Sequence, residues 1–451
     1  MTSRIAALPG SLRSALSPAG HTGALLRGTA GSFLVKIASN ALLFASQIVF
    51  ARFLGVDGFG LYVLALAWLS VLVLFGRAGF DLATVRYVAA YRAAAEWGLL
   101  RGFLAAGNLT VLAASLSVAT LFAGGVALSA PDAAPGMARA LLLAALIMPP
   151  LALVQVQAAA MRGLGHVVLG DVPHSLIHPG MLLVCFLAAI FWFDAPAQAE
   201  TALWSYTAAT AASLLCLWPM LRARMRQAVP AARREYRWRE WLTAAPAMLL
   251  IAGFAVALNQ STVIMTGALS GTAEAGLFGA AARVAGVLQI ITFSLVTAIG
   301  PMIARLHAKG EGEALQTAID TGVRTVFLLG CAAAAVLAAL GGRILSLFGE
   351  EFAVAHLALL ILLAGQTAWA ATAAAGSVLN MTGHQNASAV ILAVAAAANL
   401  GLCWLLIPPF GLEGAAAATA ATMAGSNIAM AVYARRAIGL RSYASLAGGN
   451  R

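Results

Sequence analysis

Long apolar runs broken by short turns of Gly, Pro, Asp and Asn fill the chain from about residue 30 to residue 434. Twelve such runs are distinguishable. The first six lie at about 30–53, 60–84, 102–128, 140–161, 172–193 and 201–221. The second six lie at about 241–267, 277–303, 318–342, 356–379, 388–408 and 414–434. Each is roughly 20 residues or longer and carries few charges, the length a helix needs to cross hydrocarbon. The pattern predicts an all-α integral membrane fold. The divisions it implies are a tail at 1–26, a first six-helix bundle at 27–221, a basic linker at 222–240, a second six-helix bundle at 241–434 and a tail at 435–451.

Composition narrows the class. Of the 451 residues, 62% are hydrophobic and 10% charged, against about 25% charged in soluble domains. Too little charge is present to cover a soluble surface. The net charge of +11 raises nucleic acid as a partner, but its distribution answers otherwise. With the N-terminus in the cytoplasm, only Arg52, Arg139 and Arg343 fall in outer loops, and Lys36, Arg77, Arg283 and Arg324 fall inside segments. The remaining Lys and Arg lie on the cytoplasmic side, as the positive-inside rule requires. Asp57, Asp132, Asp194, Glu200, Glu274, Glu350, Glu351 and Glu413 fall outside. The basic excess is therefore topology, with both termini cytoplasmic and no nucleic acid implied. The stretch from Arg222 to Arg239 holds the linker against anionic membrane lipid or docks a cytoplasmic partner. Residues 1–26 lack the continuous apolar core of a cleaved signal peptide. Cys185, Cys216, Cys331 and Cys403 are scattered in apolar runs without a CxxC pair, which argues against disulfides and zinc.

The two halves resemble each other. Gly60-Leu-Tyr62 opens the second segment and Gly276-Leu-Phe278 the eighth; Gly165-His166 follows the fourth and Gly383-His384 the tenth. Two landmarks with nearly one offset point to a six-plus-six duplication in the same direction, an architecture in which a substrate sits between the halves near mid-membrane.

Charge at bilayer depth is costly and usually faces a bundle interior or a wet cavity. Lys36 and Arg77 each lie nine residues inward from a flanking arginine, Arg27 and Arg86, roughly 14 Å at the helical rise. Two cations at one depth suit an anionic ligand. Ser32, Lys36, Asn40 and Gln47 form a stripe on one face of the first helix. Lys36 could equally snorkel to the interface. Arg77 and Asp81 are spaced to pair, either as a neutral structural unit or as an arginine held ready for phosphate, which its planar fork suits. In the second half the candidates are Asn259, Gln260, Arg283 and Arg324, with Asp320 spaced to pair with Arg324. Asp171, His174 and His178 form a weak candidate ligand set, more simply read as interfacial residues; no metal site is expected. The chain lacks a G-x-x-x-x-G-K-[ST] phosphate loop and a D-x-D pair, and no loop exceeds about 20 residues. These absences count against an enzyme, including a membrane glycosyltransferase or ligase.

With those residues placed, the chain resembles the multidrug/oligosaccharidyl-lipid/polysaccharide exporter superfamily, and within it the polysaccharide-biosynthesis branch of oligosaccharide flippases. Residues 51–91, with Gly79 and Arg86 in a Gly-x6-Arg pattern, are similar to that branch's opening hairpin. Residues 379–422, with Asn399, Pro408, Gly411 and Gly414-Ala-Ala-Ala, are similar to the family's last two helices. The resemblance implies twelve transmembrane helices in two bundles around a central cavity that opens alternately to each side. It implies a polyprenyl-pyrophosphate-linked oligosaccharide as cargo, moved across a bacterial inner membrane for surface polysaccharide such as O-antigen, lipopolysaccharide or exopolysaccharide. Other polysaccharide-assembly proteins are then candidate partners. No cofactor is implied, and coupling to H+ or Na+ stays open. Family cavities are lined by helices one, two, seven and eight, on which Lys36, Arg77, Asp81 and Arg283 fall. The alternative is a cation-coupled drug exporter, but such relatives often carry an acidic residue in the first helix, where this chain has Lys36.

Overall fold

The structure, a computed structural model, describes residues 21–129 and 135–443, with side chains from residue 38 onward apart from residue 135 and parts of 244–308. It is all-α, with the expected two six-helix bundles around a central cavity. The first two spans share the stretch His21–Arg77 and part at Gly55, whose φ of 68° and ψ of −177° leave the helical region. The second span continues, past a break at Ala78 and Gly79, as Phe80–Ala93. Trp97–Ser129, Pro135–Gly163, Val167–Trp192 and Ala199–Ala228 complete the first bundle. Trp238–Leu269, Thr272–Ala308 and Gly312–Ser346 open the second. Its tenth span runs from Glu350 to Met381 with a loosened turn at 371–374. The last two spans share Gln385–Tyr433 and part at Gly411. Among the described residues, seven helical stretches are long and apolar enough to cross a membrane, and the first and last of these contain the two glycine-broken hairpins.

The outward surface is apolar. Leu128, Trp192 and Leu121 are 86%, 81% and 77% exposed. A soluble protein rarely leaves so much apolar area uncovered, so this belt belongs in lipid. The end of the molecule that carries residues 229–237 is called the linker end below, and the opposite end the far end.

Backbone conformation repeats between the halves. Gly165 and Gly383 have φ of 83° and 84°. Gly271, with φ 94° and ψ 176°, matches the extended left-handed geometry of Gly55. These values are open to glycine at little cost. The opening glycines of the second and eighth helices also meet. A Cβ on Gly60 would stand 2.7 Å from the Thr272 carbonyl carbon and 3.0 Å from the Gly276 nitrogen. The bundles therefore touch backbone to backbone at the far end. Rings pack on that contact: Phe59 lies 5.6 Å from Phe352 and 6.3 Å from Phe348, edge to face. Arg52 donates to the Leu347 carbonyl at 2.6 Å, and Thr272 donates to Asp57 at 3.2 Å. Together these seal the far end between the bundles.

The sixth helix continues through Ala228, so the non-helical linker is 229–237, shorter than the 222–240 expected. Arginine is a good helix former, and the helix stops only before Val229-Pro230, since a residue ahead of proline avoids the α region. The linker is strapped to the first bundle: Glu235 donates its backbone N–H to Gly98 at 3.1 Å. Trp241 is buried and donates to the Tyr91 hydroxyl at 2.9 Å.

Candidate functional site

A cavity of about 1060 Å³ lies between the bundles. It is bounded toward the far end by Val63, Ala67 and Gly279, just beneath the sealed contact, and reaches toward the linker end at Arg77 and Ile290. Asn40 and Gln47 from the first helix line it, with Ser70 and Arg77 from the second. Asn259 and Gln260 from the seventh helix and Arg283 and Gln289 from the eighth line the other side. Asn40 and Gln47 of the first helix face this space; beside them Ser46 turns its hydroxyl back to the Leu42 carbonyl at 2.8 Å, and Phe50 is fully buried.

Two arginines and no carboxylate stand among the described lining residues of this cavity. Arg283 is exposed to it and, among the described residues, makes no hydrogen bond or ion pair. Arg77 is held: its Nη1 lies 2.8 Å from Asp81 Oδ2, both side chains 16% exposed, and its Nε donates to Val73 at 3.3 Å. Asp81 can reach back because the chain breaks at Gly79, in the left-handed region with φ 79°, and restarts as a helix one residue later.

Asp81 lines a second, smaller pocket of about 240 Å³ with Arg77, Gln155, Ala158, Arg162, Asp171 and His174. Arg162 and Asp171 pair there at 2.9 Å. Arg77, Gln155 and His174 line both spaces, so the two are neighbours. His174 lies in a local widening of the fifth helix. Pro173 and Pro179 withhold their backbone donors, the helix takes a π-type turn over Pro173–Ile177, and the His178 N–H reaches back to the Pro173 carbonyl. Such turns are frequent at functional sites.

The structure thus brings Asn40, Arg77, Asn259, Gln260 and Arg283 to one cavity and Asp81 to the adjoining pocket. Lys36 falls outside the described side chains. Arg324 is exposed and lines neither space, and Asp320 accepts from Gln316 at 2.8 Å rather than pairing with Arg324. The reason is local: Gln316 also bridges to Arg441, donating to its carbonyl and accepting from its N–H, which fixes the amide beside Asp320. The set Asp171, His174 and His178 does not converge on a metal. Asp171 is committed to Arg162, His178 is buried against Thr210 at 3.2 Å, and no group of three metal-ligating side chains forms among the described residues. Gln155 and Tyr206 line the cavity and were not singled out by sequence; two glutamines, Gln155 and Gln157, in an apolar run just past Pro149-Pro150 were the available signal.

Comparison with known proteins gives a consistent picture. Residues 25–307 match the family model described as polysaccharide biosynthesis protein, and residues 248–405 match the one described as MatE. A curated relative, the probable low-salt glycan biosynthesis flippase Agl15 of Haloferax volcanii, is 25% identical over 159 residues. That match covers 35% of this chain and 34% of the relative, so it spans about a third of the relative's length. Among solved structures, the inward-facing conformation of a multidrug resistance MATE family transporter of the MOP superfamily superposes with a TM-score of 0.71 at 12% identity, covering 90% of this chain and 98% of that one. A MOP superfamily transporter from Pyrococcus furiosus, described by a binding pocket of reverse polarity, superposes with a TM-score of 0.53 at 15% identity, covering 91% and 93%.

Proposed function

Because the chain belongs to the polysaccharide biosynthesis protein family, a flippase branch of the MOP transporters, we propose that it moves a prenyl-pyrophosphate-linked oligosaccharide across the membrane. The observation that carries this reading is the charge of the cavity: Arg283 and Arg77 line it with no carboxylate among its described lining residues, and because Arg77 is paired with Asp81 of the adjoining pocket, Arg283 is the charge that leaves the cavity cationic. A sugar-pyrophosphate head carries polar and anionic groups that hydrocarbon rejects, and an ionised group taken out of water without partners costs tens of kcal/mol by Born solvation. Arginines in a protein-walled cavity offset that cost through charge-assisted, two-pronged hydrogen bonds. Asn40, Gln47, Asn259, Gln260 and Gln289 supply amides that both donate and accept, which matches sugar hydroxyls. The prenyl chain stays in lipid.

The basic linker end faces the cytoplasm in this reading, following the bias of Lys and Arg. The far end is sealed and the cavity reaches toward the linker end, so this is the state that loads cargo from the inner leaflet of a bacterial cell membrane. Release requires the Gly60–Gly276 contact to part while the linker end closes. The MatE family model also matches part of the chain, and one solved neighbour is a multidrug resistance MATE family transporter, so a cationic drug is the alternative cargo. A cavity that is net cationic through Arg283, with no carboxylate among its described lining residues, opposes it.

The test is genetic and chemical. Arg77→Ala and Arg283→Ala strains should stop surface glycan assembly and accumulate lipid-linked sugar on the cytoplasmic leaflet, with the protein at normal level in the membrane. Normal glycan from both variants, or a deletion strain that loses drug resistance and keeps its glycan, would overturn the proposal.

A further inference from the structure

We propose that the smaller pocket is the phosphate subsite of the carrier, and that protonation of His174 sets its affinity. This rests on the reading of the neighbouring cavity as a glycan site and assigns the cargo's two parts to two spaces. The larger cavity takes the sugars. The pocket of about 240 Å³ takes phosphoryl groups, and the two communicate through the shared residues Arg77, Gln155 and His174.

The argument begins with the charges. Arg77 pairs with Asp81 at 2.8 Å and Arg162 with Asp171 at 2.9 Å, so the four groups cancel. A cancelled pocket has two phosphate-binding forks but no net attraction for an anion. His174 is the remaining titratable side chain among those lining it; it makes no hydrogen bond among the described residues, and its ring centroid lies 6.0 Å from that of His178. The groups facing it are Arg77 and Asp81 from the second helix and its continuation, Arg162 from the fourth, Asp171 and His178 from its own helix, and Tyr206 from the sixth. A proton on a ring nitrogen of His174 makes the pocket cationic. It also offers Asp81 a counter-charge when phosphate draws Arg77 away. Cargo binding and proton uptake therefore favour each other, and by linkage each strengthens the other equally. No bond is made or broken apart from this proton transfer from solvent.

The π-type turn is the second, independent observation. It begins beside His174, over Pro173–Ile177, where the fifth helix meets the junction of the two spaces that His174 lines.

The experiment uses the purified full chain in lipid nanodiscs and farnesyl pyrophosphate as the probe. Titration calorimetry at about pH 7.5 in two buffers of different ionisation heat counts protons taken up on binding. At that pH the probe's own second ionisation, near 6, is essentially complete, so uptake belongs to the protein. Wild type should take up a sizeable fraction of a proton, and its affinity should fall by up to about tenfold per pH unit as the ring loses its charge. His174→Gln, and His174→Asn as a second variant, should bind more weakly and without that uptake. Binding by wild type with no proton uptake would overturn the subsite and leave the flippase reading standing, as would full uptake in both variants. No binding of the probe by wild type would overturn both.

Discussion

Gly60→Ala is the sharpest perturbation the far end offers. The added methyl carbon would sit 2.7 Å from the Thr272 carbonyl carbon, with its oxygen closer still, and 3.0 Å from the Gly276 nitrogen. All are backbone atoms, so no side chain can rotate away. Ordinary carbon contacts begin near 3.5 Å, and the two bundles must therefore part by at least about 0.8 Å. Overpacking of this kind costs about 1–3 kcal/mol, and the cost falls only on the conformation in which the far end is sealed. The helix-propensity gain of Ala over Gly applies to both conformations and cancels. The ratio of sealed to open molecules should fall roughly 5- to 150-fold. Spin labels at positions 193 and 354, side chains 80% and 71% exposed at the far end, read this ratio as a distance distribution in nanodiscs, with the native cysteines replaced. Gly60→Ala should lose population at the short distance and gain it at a longer one. Gly124→Ala and Gly401→Ala, where a Cβ meets nothing within 4 Å, should leave the distribution unchanged. An unaltered distribution in Gly60→Ala would refute the argument that this contact is the seal.

Asn399→Ala should lower thermal stability by about 1–3 kcal/mol, because the amide donates to Ser261 at 2.9 Å and Thr262 at 3.0 Å and accepts from Thr422 at 3.3 Å inside the second bundle; an unchanged melting temperature would contradict this. Gly102→Ala should loosen the linker, since its Cβ would stand 2.8 Å from the Glu235 carbonyl carbon, and the readout is faster tryptic cleavage at Arg233 and Arg234; equal cleavage would count against the strap. Glu274, at the far end outside the span 277–303, is held above the ordinary carboxylate range by burial and then by Glu413, against a lowering hydrogen bond from the Leu412 backbone. A raised folded-state value contributes stability below the ordinary pKa of 4.5 that is lost as pH rises through the raised value. Glu274→Gln should thus raise the melting temperature more at about pH 7 than at about pH 4.5, and an equal change at both would contradict the assignment.

Much of this molecule is written in its hydropathy. Twelve apolar runs with charged turns give the helices directly, because lipid leaves the backbone no alternative but to satisfy itself within each span. The duplication was legible in Gly60 and Gly276, but not that the two glycines touch, which depends on how the bundles meet. Asn40, Arg77 and Arg283 were legible as polar residues where polarity is expensive. His174 was visible as a residue and illegible as a lining group, because which space it lines depends on how the second, fourth and fifth helices meet. Arg324 was misdirected by spacing: the four-residue interval to Asp320 permits a pair, but Gln316 takes the carboxylate instead. The linker boundary moved because a run of arginines reads as a loop by charge and as a helix by propensity.

The central claim is that a phosphorylated, lipid-borne glycan crosses the membrane through the cationic cavity. Its most direct test is purified protein in liposomes carrying a fluorescent prenyl-pyrophosphate oligosaccharide, with impermeant reagent added outside and the protected fraction followed over time. The account predicts that wild-type protein speeds exchange between leaflets and that Arg77→Ala and Arg283→Ala do not. Exchange no faster than in protein-free liposomes, together with transport of a cationic dye by the same preparation, would contradict it.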